Sequence, residues 1–232
     1  MRRKPMFFVW SGLVAGAVAL AALTPRATAQ GGGTIEAEVK YGGAPVIEKL
    51  KVNKDVEQCG QETTVEKIAV GANKGLASAV VSLPGAAGGA APKKAVLDQK
   101  GCKFQPNVVA TVAGDVDIAN SDGILHNVHT YSSANPSLNK AQPKFKKVMT
   151  EKFEKPEYIK IQCDVHSWML GWIAVMPNAH HGVTDANGVV KLDNVPPGKQ
   201  TVEIWHPELG KQTKEVEVKA GQVTKISFEM KK

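Results

Sequence analysis

The sequence predicts an all-β protein built from sandwich units, and three observations carry that prediction. Short runs that are β-branched or alternate apolar with polar residues recur along the chain. Turn signals punctuate them densely, at Gly42-Gly43, Ala113-Gly114-Asp115, Asn187-Gly188, Pro196-Pro197-Gly198 and Ala220-Gly221. After the first thirty residues, no run of helical periodicity exceeds two turns. Composition fits this picture. With 232 residues, 43% hydrophobic and 22% charged, the chain has room for one large domain or two small ones with real cores, and wholesale disorder is excluded. Three cysteines are too few for a disulfide-built miniprotein or a four-thiolate zinc module.

Arg2, Arg3 and Lys4 precede an apolar run from Met6 to Leu23, and Pro25-Arg26 leads into Ala27-Thr28-Ala29. A basic start, an apolar middle and an A-x-A site are the three parts of a secretory signal, so residues 1–29 are expected to be removed on export. A retained membrane anchor is the competing reading, since eighteen apolar residues approach a minimal span. Removal leaves 25 basic side chains against 22 acidic ones, a formal +3 in place of +7. That balance gives no reason to expect nucleic-acid binding, and no membrane span remains. The compartment is expected to be periplasmic or extracellular, and oxidising.

Predicted strands then follow in order. Ile35–Tyr41, Lys67–Val70 and Ala77–Leu83 come first, then Asn107–Val112, Val116–Asn120, Tyr158–Cys163 and Trp172–Met176. Val189–Leu192, Thr201–Trp205, Glu215–Val218 and Thr224–Glu229 complete the set. Residues 84–92, rich in Gly and Ala, read as a linker, and a second break falls at 177–182. Lys140 to Lys155 carries six lysines against Glu151 and Glu154. It reads as a solvated charged loop, or as a basic collar that steers an acidic redox partner.

In the C-terminal part, the turn Thr184-Asp185-Ala186-Asn187-Gly188, a strand, Pro196-Pro197-Gly198, another strand, Ala220-Gly221 and a last strand follow one another. This order resembles carboxypeptidase-regulatory-like, transthyretin-like β-sandwich modules. In that family, strands matching Gly33–Tyr41 and Leu76–Leu83 normally precede the Thr-Asp-x-x-Gly turn. Here roughly ninety residues intervene, which implies insertion. The regulatory-like sandwich is then residues 31–92 plus 180–232, and a second domain occupies 93–179. Two sequential domains are the alternative.

Two segments carry chemistry: Asn120-Ser121-Asp122-Gly123-Ile124-Leu125-His126-Asn127-Val128-His129, and Cys163-Asp164-Val165-His166-Ser167-Trp168-Met169. A thiolate, two imidazoles and a weak thioether suit copper cycling between two oxidation states. Zinc rarely recruits methionine, and calcium or magnesium would ask for oxygen ligands. Cys163 ends one strand and the next begins near Gly171, so a short loop can turn Cys, His and Met onto one point. His126 reaches that point from a distant strand end.

These residues resemble type 1 copper proteins, the cupredoxins, and amicyanin in particular. The likeness spans about Lys93–Asn178. It includes Phe104-Gln105-Pro106, Gly114-Asp115, the Asn120-Ser121-Asp122 turn, the His126 block and C-x-x-H-x-x-M at Cys163, His166 and Met169. Plastocyanins resemble the segment less, because their ligand loop is longer by two. The resemblance implies a Greek-key β-sandwich holding one copper ion. His126 and His166 would be its nitrogen ligands, with His166 at the solvent edge, Cys163 its thiolate and Met169 its axial ligand. Asn127 would pin the Cys163 loop by hydrogen bonding, and His129 matches a position that does not ligate. With Cys163 on the metal, Cys59 and Cys102 remain and should pair in an exported protein, which would stabilise the fold by roughly 3–4 kcal/mol.

The function implied is one-electron transfer between partner proteins, with no substrate transformed, so an enzyme is not expected. A multicopper oxidase would need H-x-H pairs, and a binuclear centre a second loop cysteine. Copper delivery or sequestration with the same ligands stays open. So does a cell-surface interaction module with a vestigial copper site. Met176 shares a strand face with Trp172 and Ala174 and reads as core. His180 and His181 are expected to be solvated, His206 structural, and Trp168 and Trp172 hydrophobic cover for the site.

Overall fold

The computed structural model describes Met1, residues 31–89 and residues 94–232. Apart from Met1, the expected export signal lies outside the described residues, as do residues 90–92 of the expected linker. Among the described residues, no helix is long and apolar enough to cross a membrane. The fold is all-β. In chain order the strands are β1 (Gly33–Tyr41), β2 (Val46–Lys51), β3 (Glu62–Ile68) and β4 (Val80–Ser82). Next come β5 (Ala95–Gln99), β6 (Phe104–Gln105), β7 (Val108–Val112), β8 (Gly114–Asn120) and β9 (His126–Tyr131). They are followed by β10 (Asn139–Gln142), β11 (Val148–Phe153), β12 (Glu157–Gln162) and β13 (Leu170–Met176). The last are β14 (His181–Val183), β15 (Val189–Val195), β16 (Gly198–His206), β17 (Gly210–Val218) and β18 (Val223–Met230). A single-turn helix, α1 (Val56–Cys59), lies between β2 and β3.

One sandwich sets the sheet β15-β1-β18 against β14-β4-β16-β17. β1 shows why: its apolar positions recur with period two, so Ile35, Ala37 and Val39 all face inward while Glu36 and Glu38 face out. They meet Val81, Val202, Ile204, Val218 and Phe228 in one core. The turn before β15 is tied by Asp185, whose carboxylate accepts from the amides of Asn187 and Val189 at 2.9 and 3.0 Å. Gly188 takes φ 75° there, and a side chain on it would strike the Val39 carbonyl at 2.2 Å.

The other sandwich sets β10-β9-β12-β13-β7 against β11-β8-β5-β6. Its core joins Leu97, Phe104, Val116, Ile118, Val128, Phe153, Ile159, Ile161 and Ile173. β13 pairs antiparallel with β12 and parallel with β7, so the two flanking strands fix its register from both sides. Between the sandwiches lies a third cluster of Val80, Val108, Ala174, Met176 and Trp205. Tyr158 stacks on Trp205 at 4.0 Å between ring centres, and Trp172 meets Trp205 edge-on at 5.2 Å. Met176 is thus core, and Trp172 belongs to this junction.

Two segments differ from expectation. The lysine-rich stretch is no solvated loop over most of its length, since β10 and β11 occupy it. In β11, Met149, Glu151 and Phe153 point inward against β8, and Glu151 is held by Lys140 at 2.7 Å. Val148, Thr150 and Lys152 take the outward positions of β11, and Lys144, Lys146 and Lys147 lie in the turn before it. The β2–β3 hairpin, expected within the regulatory-like sandwich, leans on the other core: Val52 is part of it, with Cys59 and Val65 packed alongside. Ile68, at the end of β3, belongs to the first core.

Candidate metal centre

His126 opens β9, directly after a loop that leaves β8 at Asn120. That loop is fastened from within, because the buried Asn120 amide donates to the carbonyls of Ile124 and Gln142 at 2.8 and 3.0 Å. Asp122 is fastened too. Its carboxylate accepts from the backbone amides of Gly101 and Cys102 at 2.6 and 2.8 Å. Cys163 follows β12, and the segment after it folds back tightly. The Met169 amide donates to the His166 carbonyl at 2.9 Å, and the Cys163 amide to the Met169 carbonyl at 3.1 Å. The Cys, His and Met of this loop therefore sit between two adjacent, register-fixed strands.

Three of the expected ligands converge. Nδ1 of His126 and Nδ1 of His166 are 3.0 Å apart, and Cys163 Sγ lies 3.9 and 3.8 Å from them. A triangle with those sides has its centre about 2 Å from every corner, the length of a transition-metal bond to imidazole. All three side chains are fully buried. Met169, the fourth expected ligand, is also buried and belongs to the same core as Cys163.

The far nitrogen of each ring settles what the near nitrogen can do. His126 Nε2 lies 2.9 Å from Asp122 Oδ2, and His166 Nε2 lies 2.8 Å from Asp55 Oδ2. A carboxylate only accepts, so each ring is assigned a proton on Nε2, and in the neutral ring Nδ1 then presents a bare lone pair. Two lone pairs facing each other at 3.0 Å beside a sulfur repel unless a cation lies among them. The donor set of two imidazoles and one soft sulfur fits copper. Burial depresses the His126 pKa, helped by the neighbouring His166, while the Asp122 carboxylate works the other way. Burial pushes the Cys163 thiol up, with the Asn127 amide opposing. Both favour uncharged groups until a metal supplies positive charge.

Asn127 braces the loop from both ends. Its backbone amide points at Cys163 Sγ at 3.4 Å, and its side-chain oxygen accepts from the Asp164 amide at 2.5 Å. Its side-chain nitrogen donates to Asn139 at 2.7 Å. His129 stands outside the triangle, 3.1 Å from the Asp164 carboxylate and stacked on Tyr131. Trp168 covers the site as expected. Its ring lies 5.2 Å from that of His166, and its indole N–H donates to the Cys102 carbonyl at 3.2 Å.

The expected solvent edge at His166 is overturned, since that ring has no exposed surface. The cause is the β2–β3 hairpin, whose Asp55 covers Nε2 and which the Cys59–Cys102 disulfide joins to the sandwich. His180 is not solvated either, and His181 is half-buried. His180 is buried against the Ala87 carbonyl, and His181 Nδ1 donates to the Asn178 carbonyl at 2.8 Å. His206 is buried at the junction, and its Nδ1 accepts from the Glu208 amide at 3.2 Å.

Sequence reasoning missed two residues of the centre. Asp122 is four positions before His126 in a loop already singled out, and could have been found there. Asp55 is 111 positions from His166, and only the pairing of Cys59 with Cys102 hinted that its neighbourhood reaches the site.

No family model and no curated protein matches the chain. Solved structures do, at low similarity. A copper-containing nitrite reductase from Thermus scotoductus is 23% identical with a TM-score of 0.31, the match covering 36% of this chain and 22% of that one. A purple cupredoxin from Nitrosopumilus maritimus is 18% identical with a TM-score of 0.31, over 35% of this chain and 99% of its own. Amicyanin from Paracoccus versutus is 19% identical with a TM-score of 0.32, over 41% of this chain and 96% of its own.

Proposed function

We propose that the chain is an exported mononuclear copper protein that carries single electrons between redox partners. In this reading residues 93–179 form the copper-binding unit, inserted into a regulatory-like sandwich of residues 31–92 and 180–232. The observation that supports it most is the buried triangle of two Nδ1 atoms and one sulfur, with both tautomers already set by carboxylates. Copper bound there would supply a one-electron couple. The protein supplies the rest. Cys163, His126 and His166 would hold the ion, with Met169 as the candidate fourth ligand. Asn127 keeps the Cys163 loop from relaxing, and the strands on either side limit rearrangement when the charge changes. Full burial of all three side chains limits the access of competing ligands. The proposed role is electron carriage alone, and no enzymatic role is part of it.

The partner surface fits the turn between β10 and β11. Phe145 is 81% exposed there, and Lys144, Lys146 and Lys147 flank it, all exposed and none in an ion pair among the described residues. Gln142, beside this turn, pairs with His126 across the sheet, and Leu125, the residue before His126, is 44% exposed. An acidic partner with an apolar contact patch matches such a surface.

Copper reconstitution of the protein tests this reading. One ion per chain, a strongly coloured oxidised form, a thiolate-coupled EPR spectrum and reversible one-electron reduction are expected. Uptake and colour that survive Cys163→Ala would overturn it. A second reading, copper sequestration, draws on the full burial of both histidines. It predicts tight retention with electron exchange too slow to serve a partner, and stopped-flow reduction by a small reductant separates the two.

A further inference from the structure

The outer face of His166 is closed by a piece of chain from far away in the sequence. Asp55 sits at the tip of the β2–β3 hairpin, in the left-handed region at φ 50° and ψ 43°, which Asp tolerates better than most residues. Its backbone carbonyl accepts from Gln58 and Cys59 at 3.0 and 2.8 Å, which leaves the side chain free to turn toward the metal centre. The carboxylate is 36% exposed, whereas the imidazole it touches has no exposed surface. The hairpin is anchored on both sides of Asp55. Val52 is buried in the copper-site sandwich and its amide donates to the Gln61 carbonyl at 2.9 Å, while Cys59 is bonded to Cys102.

Cys102 is the common anchor of this arrangement. Its amide donates to Asp122, which holds His126; its sulfur is tied to Cys59, four residues from Asp55, which holds His166; its carbonyl accepts from Trp168. Both histidines are therefore oriented by carboxylates that one buried residue keeps in place.

We propose that Asp55 is a positioning residue of the metal centre: it fixes His166 with Nδ1 facing inward and, through its negative charge on Nε2–H, tilts the site toward the oxidised metal. This rests on the copper reading above. A carboxylate hydrogen-bonded to a ligating imidazole raises its basicity, and a more basic donor favours the more highly charged ion. Water at an open histidine edge would supply no fixed charge. The hairpin replaces that water with a carboxylate.

The test compares the wild type with Asp55→Asn. The amide oxygen of Asn can still accept from Nε2–H, so shape and hydrogen bond are kept and the charge alone is removed. Oxidised-copper affinity is expected to fall 10- to 100-fold, with reduced-copper affinity nearly unchanged. Each tenfold of that selective loss reads as a rise of about 59 mV in the reduction potential of a one-electron couple. An unchanged potential in a folded Asp55→Asn protein would overturn the proposal. Should the variant fail to fold, the metal-free wild type decides by imidazole 15N NMR. His166 protonated on Nε2, with that proton protected from solvent exchange, is expected. A proton on Nδ1 alone, or an Nε2 proton exchanging freely with water, overturns the proposal. Failure of the wild type to take up copper would instead strike the functional reading, and the NMR result would still judge Asp55.

Discussion

Removing the Cys59–Cys102 bond is the perturbation whose size follows most directly from the chain path. The bond closes a segment with a sequence separation of 43 residues. Chain entropy for a loop of that size gives about 4 kcal/mol of stabilisation, acting through the unfolded state. The double replacement Cys59→Ala, Cys102→Ala avoids placing a hydroxyl where Cys102 is buried. Melting temperature shifts by about 2–4 °C per kcal/mol in a chain of this length, so a fall of roughly 8–16 °C is expected for the metal-free protein. Thermal and urea melts followed by tryptophan fluorescence measure it, and the urea slope shows whether the same surface unfolds. Hydrogen exchange should locate the loss of protection in residues 46–68 and at Cys102, where Asp122 and Trp168 are attached. A loss below about 1 kcal/mol would refute the reasoning, because the hairpin would then fray independently of the sandwich it covers.

Four further outcomes are expected. Cys163→Ala should abolish the coloured copper form while leaving a folded protein, checked by absorption and circular dichroism, because burial already keeps this thiol neutral without metal. Burial lowers the His206 pKa from its ordinary 6.5 to about 4, so the unfolded chain binds the extra proton first as pH falls. That stability is fully present above pH 6.5 and is lost between 6.5 and about 4, by up to about 3 kcal/mol; the pH slope of urea melts should flatten in His206→Gln. Replacing Lys144, Lys146 and Lys147 by Gln should slow reduction by an acidic partner and remove most of its salt dependence, with the potential unchanged, as stopped-flow kinetics would show. Although burial opposes it, hydrogen bonds from Ser132, Ser133 and Asn135 hold the Glu157 carboxyl well below the usual carboxylate range, so Glu157→Ala should cost about 2 kcal/mol in urea melts by orphaning those donors.

The strands legible in the sequence are those whose inward face is mostly apolar. β1, β7, β8, β12, β13 and β16 fall where period-two alternation or β-branched runs place them. β9, β10 and β11 escaped because polar residues fill them for local reasons. β9 spends an inward position on the site at His126 and buries Asn127 on its other face against Asn139 and Asp164, and β11 buries Glu151 against Lys140. A polar residue inside a sandwich is tolerable only when its partner is supplied, and the partner is not adjacent in sequence. The same limit applies to the solvated reading of His180 and His181. Carbonyls of Ala87 and Asn178 satisfy their ring nitrogens, and no periodicity announces a carbonyl.

The centre shows the limit most sharply. His126, Cys163 and His166 could be chosen from residue type and spacing because a strand–loop–strand unit makes spacing a proxy for distance. The outer carboxylates obey no such rule. Asp122 works through the loop that carries His126, whereas Asp55 depends on a hairpin leaving one sandwich to cover the other. Closing so long a span costs chain entropy, and the Cys59–Cys102 bond removes much of that cost from folding. An open histidine edge needs neither hairpin nor bond. Their joint presence, with Cys102 also holding Asp122 and Trp168, ties the geometry of both imidazoles to one covalent link. Breaking it should therefore loosen the ligand set and the cover together.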